Sequence, residues 1–495
     1  MDRPASPGDG AGHGPLALRI GIAVLALAAA GCGGFDPAAP AAAAIGPPAA
    51  DPSRDLFIRS CASCHGEDRL GLLAPPLVDE TIGRRSDEDL ARIVRDGIPG
   101  TRMPSFGMAL ADDEIARLVE FVRRPVEIAW PAEAIRTSRR EFEPEGDRTF
   151  PGDVTAVVER GTGNVLFLVD GELVRQVFFP NVHGGLKYEG DHVFVPARTG
   201  FVTKIDLATL SPVRSVRTGV YLRNIEVCGD FVYAACSLPP SLVVLGLDLE
   251  LRDVVPLSHV PSAVARFDDE RVLLAYEDRA ALTVLEGGRI TGEIEVPAPF
   301  RQLSVVEDLV IGSNGRDVHV TDLARSATLT GDGIPHLAAG VVWPRGDALV
   351  WATPRVEGDG VAVYSLRRDA QGPRIERLAE LPIRALPVRG HTNVFVRAYP
   401  DHPYFVTTSG EEVLFLSKED FSVVGRVTPA PGRMPLHTEF SADGSILFVS
   451  VYEERGGIHL YSTRDFTSLA AIPAVKPAGQ YNRFMKSWRA YRRSR

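Results

Sequence analysis

Five cysteines in 495 residues are too few for a disulfide-stapled scaffold, and their placement leaves little to pair. Cys32 stands near the N-terminus, Cys61 and Cys64 share one motif, and only Cys228 and Cys236 remain. If Gly229-Asp230 is a two-residue hairpin turn, Cys228 faces Phe231 and Cys236 falls opposite Arg223, too many strand rows away for a disulfide; both read as small buried hydrophobes. A zinc site lacks ligands as well, because the next histidine after His65 is His183. No basic tract offsets the formal net charge of -10, which excludes nucleic acid as a natural partner and leaves the Arg489 to Arg495 cluster as a solvated tail. The apolar run from Ile20 to Ala30 is well short of the ~20 residues that a membrane-spanning helix needs.

What the chain does have is Cys61-Ala62-Ser63-Cys64-His65. Cys-x-x-Cys-His is the spacing that attaches haem covalently: two thiols add to the vinyl groups, and the histidine lies beneath the iron. The competing reading, a redox or zinc pair, lacks its further ligands. Around the motif the sequence is helical. Asp51 to Cys64 is helix-compatible, with Leu56 and Phe57 available to pack on a macrocycle. Ser86-Asp87-Glu88-Asp89 reads as a capped start of a helix that ends at Gly97. A last helix begins at Ala111-Asp112-Asp113-Glu114 and runs through Ile115, Leu118, Val119 and Val122 to Pro125. Between them lies the loop Gly100-Thr101-Arg102-Met103-Pro104-Ser105-Phe106-Gly107. Residues 51 to 124 closely resemble a class I monohaem cytochrome c, which makes Met103 the axial thioether, with Met108 as competitor. His65/Met103 ligation raises the iron potential and suits electron transfer.

Arg19, the apolar run and Ala29-Ala30-Gly31-Cys32 have the layout of a secretory signal ending in a sequence that resembles a bacterial lipobox. Cys32 is then the lipidated first residue and 33–50, rich in Pro and Ala, a tether. The alternative is an ordinary signal peptide cut nearby. Either reading exports the protein, and the first places it in the periplasm as a membrane-anchored lipoprotein.

Beyond a linker at 126–159, short β-rich runs recur: Val193-Phe194-Val195, Val232-Tyr233-Ala234, Val272-Leu273-Leu274, Leu309-Val310-Ile311, Leu349-Val350-Trp351, Tyr404-Phe405-Val406 and Leu447-Phe448-Val449. Their starts lie 37 to 43 residues apart, with one interval of 55, and Gly/Asp turns introduce them. A period of about 40 with roughly four short strands per unit marks a β-propeller blade. The partial unit at Val165-Leu166-Phe167 brings the count to eight. The expected fold is therefore a small all-α cytochrome c at 51–125 followed by an all-β eight-bladed propeller at 160–495.

Propellers work at the mouths of their central channel, which directs attention to histidines outside strands. His183, His336 and His437 stand in turn-like contexts, whereas His192, His319 and His459 lie within apparent strands. At these residues the chain resembles the haem d1 family, which joins a cytochrome c to an eight-bladed propeller. The resemblance makes His183 the iron ligand of a non-covalent haem d1 or dihydro-haem d1, and gives Leu222-Arg223-Asn224 and Pro239-Pro240 places beside it. It sets His336 in the distal pocket. Haem d1 carries several carboxylates, for which Arg198, Arg223, Arg301 and Arg389 are candidate partners. Where the nitrite reductase of the family has a second distal histidine after Ala-Pro-Phe, this chain follows Ala298-Pro299-Phe300 with Arg301 and Gln302. Leu436-His437-Thr438-Glu439-Phe440 and Lys476 to Asn482 look closer to the biosynthetic members, which oxidise a propionate of the tetrapyrrole to acrylate. The resemblance thus implies a dehydrogenase in which His437 takes a proton and electrons leave through the single c-type haem to a periplasmic redox protein. The alternatives are a nitrite reductase with an altered distal pocket and a non-enzymatic haem d1 carrier or interaction platform.

Overall fold

The computed structural model describes residues 51–483 apart from 144–147, 307–308, 315–317, 324–326, 331–339, 355–359, 370–371, 385–386, 389–390 and 393–394. Cys32, His336 and Arg389 lie outside the described residues.

Six short helices come first: α1 (Pro52–Ser60), α2 (Ala62–His65), α3 (Asp79–Ile82), α4 (Asp87–Asp96), α5 (Asp112–Arg123) and α6 (Ala132–Thr137). Their ends follow local chemistry. Asp51 accepts from the Ser53 and Arg54 amides and caps α1, Ser86 Oγ accepts from Asp89 N at 3.1 Å, and Glu114 accepts from Ala111 N at 3.0 Å. Helix α4 stops at Gly97, whose φ of 71° suits glycine. Leu56 and Phe57 are buried against α5 with Leu118 and Phe121, and the Phe57 and Phe121 rings are 5.2 Å apart.

The rest is eight antiparallel sheets arranged as propeller blades, seven of four strands and one of five, with a two-stranded sheet of Pro387–Val388 and His391–Thr392 beside them. Blade 1 takes its innermost strand from the C-terminal end, where Pro477–Tyr481 pairs with Val154–Glu159. Asn164–Val169 and Glu172–Phe178 complete that blade. This shared blade ties the two ends of the domain together and closes the ring, leaving only the short outer edges of the blades. Blade 1 thus starts at Val154, six residues before the boundary read at 160. The segment read as linker carries α6 and Arg140–Glu141, a fifth strand on the edge of blade 2. The recurrent runs seen in the sequence are the second strands of blades 2 to 8, such as His192–Pro196, Phe231–Leu238 and Ile446–Val451, and Val165-Leu166-Phe167 lies in the third strand of blade 1. These strands are nearly continuous in burial because both faces meet neighbouring blades. Outer strands such as Ser468–Ala474 are mostly exposed. The core is accordingly divided among the gaps between blades: one cluster joins Phe194, Val202 and Val216 of blade 2 to Leu222, Val232 and Val243 of blade 3.

The Gly229-Asp230 hairpin places Cys228 opposite Phe231 as expected, but Cys236 faces Leu222, not Arg223. A bulge explains the slip: the pairing steps from Ala235 with Asn224 to Cys236 with Leu222 and leaves Arg223 as the extra residue. Both cysteines are buried and free.

Candidate functional site

With four antiparallel strands per blade, the connection from one blade to the next and the turn between second and third strands fall at the same end of the propeller. His183, in the connection between blades 1 and 2, and Ala197-Arg198-Thr199-Gly200, in the turn of blade 2, therefore share that end. The structure fastens them together. Val182 bridges to Ala197, Arg198 N donates to Asn181 O at 3.1 Å, and Thr199 Oγ1 donates to Pro180 O at 3.0 Å. On the other side of His183, Tyr481 Oη accepts from Gly185 N at 2.9 Å. The half-buried histidine thus sits on a loop held before and behind, which is what an iron ligand requires.

The inner strands carry a feature with no signature in the sequence. Four of them bulge at this same end: blade 3 at Arg223, blade 4 at Ser262, blade 8 between Pro435 and Thr438, and blade 1 at Gly479. Bulges break the in-out alternation and re-aim side chains. At Gly479, with φ 66°, a Cβ would lie 2.7 Å from Tyr481 Oη, so only glycine fits. His437 is part of the bulge in strand Pro435–Phe440, a correction to its reading as a loop residue. Its ring lies 4.0 Å from that of Phe395, and its carbonyl accepts from Gln480 Nε2 at 3.3 Å. Gln480 and Tyr481 thereby tie His437 of blade 8 and the His183 loop to one strand. His192, His319 and His459 lie in strands, as the sequence indicated.

Cations gather here. Arg198 donates to the carbonyls of Leu222 and Arg223, and Arg223 Nε donates to Ser262 O at 3.1 Å. Burial pushes the Arg198 guanidinium below its ordinary value; Tyr221 opposes the shift, while Arg223 and Arg160 add to it. Arg160 was not singled out in the sequence because it stands in the turn of blade 1 after Val154–Glu159, a strand assigned to the linker. The other omission is Arg397, paired through Nε with Glu439 Oε2 at 3.2 Å across the inner strands of blades 7 and 8. Arg301 starts the inner strand of blade 5 and is exposed, which puts it on the rim.

The helical region presents the other half of the site. Cys61 and Cys64 flank the turn that delivers His65, and His65 Nδ1 lies 2.8 Å from Pro75 O. That bond assigns the proton to Nδ1 and leaves Nε2 for a metal, the arrangement in which a ligating histidine donates its second nitrogen to a carbonyl. Burial lowers the imidazole pKa, which favours the neutral, ligating form. The donor set therefore fits a covalent haem. Met103 is half-buried in the loop after α4, whereas Met108 is fully exposed.

The segments that carry His65 and Met103 both touch the channel end. Leu70 and Val78, downstream of His65, pack with Val220 and Leu238 at the entry to blade 3. Lys476 Nζ donates to Pro99 O, upstream of Met103, and the Arg102 guanidinium lies 4.2 Å over the Phe178 ring.

A covalent-haem module docked on the His183 end of an eight-bladed propeller defines a two-site tetrapyrrole protein of the cytochrome type. The chain belongs to the cytochrome D1 heme domain family, whose pattern matches residues 150–277 and 306–486. Residues 48–122 match the family described as cytochrome c oxidase, cbb3-type, subunit III. The chain is 28% identical over 479 residues to the dihydro-heme d1 dehydrogenase of Pseudomonas aeruginosa, covering 87% of this chain and 93% of that protein. The solved structure of dihydro-heme d1 dehydrogenase NirN in complex with DHE superposes with a TM-score of 0.76 at 27% identity, over 87% of this chain and 99% of that one. The N-terminal part is also 35% identical over 83 residues to cytochrome c55X of Paracoccus denitrificans, covering 16% of this chain and 81% of that protein.

Proposed function

We propose that this protein is a haem-dependent oxidoreductase that binds dihydro-haem d1 at the channel mouth and oxidises one propionate side chain to acrylate. The observation that carries the reading is the docking of both ligand-bearing cytochrome segments on the same propeller end as the fastened His183 loop. The similarity to the dihydro-heme d1 dehydrogenase supports the choice of substrate.

In this reading the tetrapyrrole is the substrate, and the haem held by Cys61, Cys64, His65 and Met103 supplies one-electron redox chemistry. His183 holds the substrate iron, and its braced loop fixes the depth of binding. Arg198, Arg223 and Arg160 neutralise carboxylates, with Arg301 and Arg389 as further candidate partners. Charge-assisted bonds from such cations would be strengthened by the partial burial of the mouth. The oxidation breaks two C–H bonds and releases two electrons and two protons. His437 accepts one proton and passes it to water, and the other proton leaves to solvent through the mouth. Each electron is passed outward in turn to a soluble one-electron acceptor protein. His336 keeps the distal-pocket role that the family resemblance implies.

Domain limits follow the same reading: a signal region to 32, cut ahead of the lipidated Cys32, a tether at 33–50, the cytochrome at 51–125, and the propeller, which takes in the strand from Val154. The protein works in the periplasm, anchored to a membrane by that lipid. Among the described residues no helix is long and apolar enough to cross one. The test is to add dihydro-haem d1 to haem c-loaded protein without external reductant. Reduction of the c haem together with conversion of the bound spectrum is expected. Rapid nitrite turnover with an unchanged dihydro-haem d1 spectrum would overturn the reading in favour of a nitrite reductase.

A further inference from the structure

We propose that Arg217 is a positioning residue that sets the electron path between the two tetrapyrrole sites; the inference rests on the reading above. Arg217 ends the outer strand of blade 2 and is 4% exposed. Its guanidinium reaches in two directions: Nη2 donates to Leu70 O at 2.6 Å, and Nε donates to Thr199 O at 2.9 Å. Leu70 lies five residues after His65, and the next amide, Gly71 N, donates back to His65 O at 2.8 Å. Thr199 follows Arg198, whose own amide donates to Asn181 O, two residues before His183. One side chain thereby joins the backbone that delivers the c-haem ligand to the turn that braces the propeller ligand.

The surroundings favour a directional role over simple adhesion. The guanidinium lies 4.4 Å from the Trp130 ring centre, and Trp130 Nε1 donates to Arg217 O at 3.1 Å. Ser138 Oγ accepts from Arg217 N at 2.9 Å. Among the described residues no carboxylate forms an ion pair with Arg217: two carbonyls and the Trp130 and Phe201 faces hold the buried cation, and the charge of Asp68 acts on it only from beyond ion-pair reach. Such a group is costly to desolvate, and apolar side chains of similar volume commonly hold an interface as well or better. Leu70, Val78, Val220 and Leu238 already supply that apolar adhesion beside it. What the guanidinium adds is a fixed separation and a continuous hydrogen-bonded route. Electron tunnelling depends steeply on both.

The test uses full-length protein carrying its covalent haem, with Arg217→Met and Arg217→Lys compared with wild type. Each is loaded with haem d1, and electron exchange between the two haems is followed after flash reduction. The c-haem spectrum, its midpoint potential and the haem d1 affinity are expected to stay as in wild type. The interhaem rate should fall by about tenfold or more in Arg217→Met, in line with the sensitivity of positioned reactions to displacements of about 1 Å. Arg217→Lys, which keeps the charge but cannot span both carbonyls, should fall between, and it carries the test if the Met variant does not fold. An interhaem rate equal to wild type would overturn the proposal. So would a shift in potential or affinity large enough to explain the slower rate, since Arg217 would then be a structural prop. If wild-type protein binds no haem d1, the functional reading fails, and hydrogen exchange at residues 66–78 of the c-haem form decides on Arg217 alone. Faster exchange in Arg217→Met supports the bridge, and exchange equal to wild type refutes it.

Discussion

The cytochrome region and the propeller mouth present ligands by opposite strategies. The first takes its candidate residues Cys61, Cys64, His65 and Met103 from a contiguous stretch of helices and loops, and a haem of the c type is attached there by covalent bonds. The second gathers Arg160, His183, Arg198, Arg223, His437 and Tyr481 from blades 1, 2, 3 and 8. These residues meet only once Pro477–Tyr481 has closed the ring on Val154–Glu159. Covalent attachment survives loosened packing. The mouth does not, because every contact there depends on the whole ring, and a ligand bound to it stabilises the closed state in return.

The sharpest break between the regions is all-or-none. Cys61→Ala with Cys64→Ala should remove the covalent haem, read as loss of haem staining on a denaturing gel, while the propeller still binds dihydro-haem d1 and fails to oxidise it. Loss of tetrapyrrole binding as well would show that the regions are not separable. Within the cytochrome, Met103→Ala should abolish the near-infrared Met-to-iron band of the oxidised protein and leave the haem attached. Met108→Ala should leave the band intact, since that side chain is fully exposed.

This contrast also governs what the sequence made legible. Cys-x-x-Cys-His, the Ser86 cap and the Gly97 stop act within a few residues, so their structures could be written down from the chain alone. The eight repeats were legible too, because burial on both faces forces the same apolar run into every blade. The bulges were not. Whether Arg223 faces Cys236 or stands out of the ladder depends on register against another strand, and no local pattern records it. Arg160 was illegible for a related reason: the first strand of the propeller pairs with the last, Ala156 with Tyr481, across nearly the whole length of the domain. Arg217 escaped notice because an arginine ending an outer strand normally faces water, and only docking of the helical region buries it.

Next in size is the base. His437→Ala should slow oxidation of bound dihydro-haem d1 by about 100-fold to 10,000-fold, the range of a positioned proton acceptor, with little change in affinity measured by titration. His336→Ala should be milder. A His437→Ala protein that turns over at the wild-type rate would remove the residue from the chemistry and leave it as a partner of the Phe395 ring.

His183→Ala should reverse that profile. An iron ligand holds the macrocycle, so affinity for haem d1 should drop by at least about tenfold, or about 1.4 kcal/mol. The visible spectrum of what remains bound should change with the iron coordination. Equal loss of affinity in His183→Ala and His437→Ala would mean that neither is a dedicated ligand.

The finest comparison is between His183 and the residue that braces it. Tyr481→Phe removes the acceptor of the Gly185 N–H. The buried Tyr481 hydroxyl has its pKa raised by desolvation, so it stays neutral over the working pH range and acts as a hydrogen-bonding group only. A net cost of about 1 kcal/mol for such a bond corresponds to roughly a fivefold weaker affinity for haem d1. The bound spectrum should be that of wild type, because His183 still reaches the iron. An affinity equal to wild type would show that the Val182–Ala197 bridge alone fixes the loop. A loss as large as that of His183→Ala would instead make Tyr481 a direct contact of the tetrapyrrole.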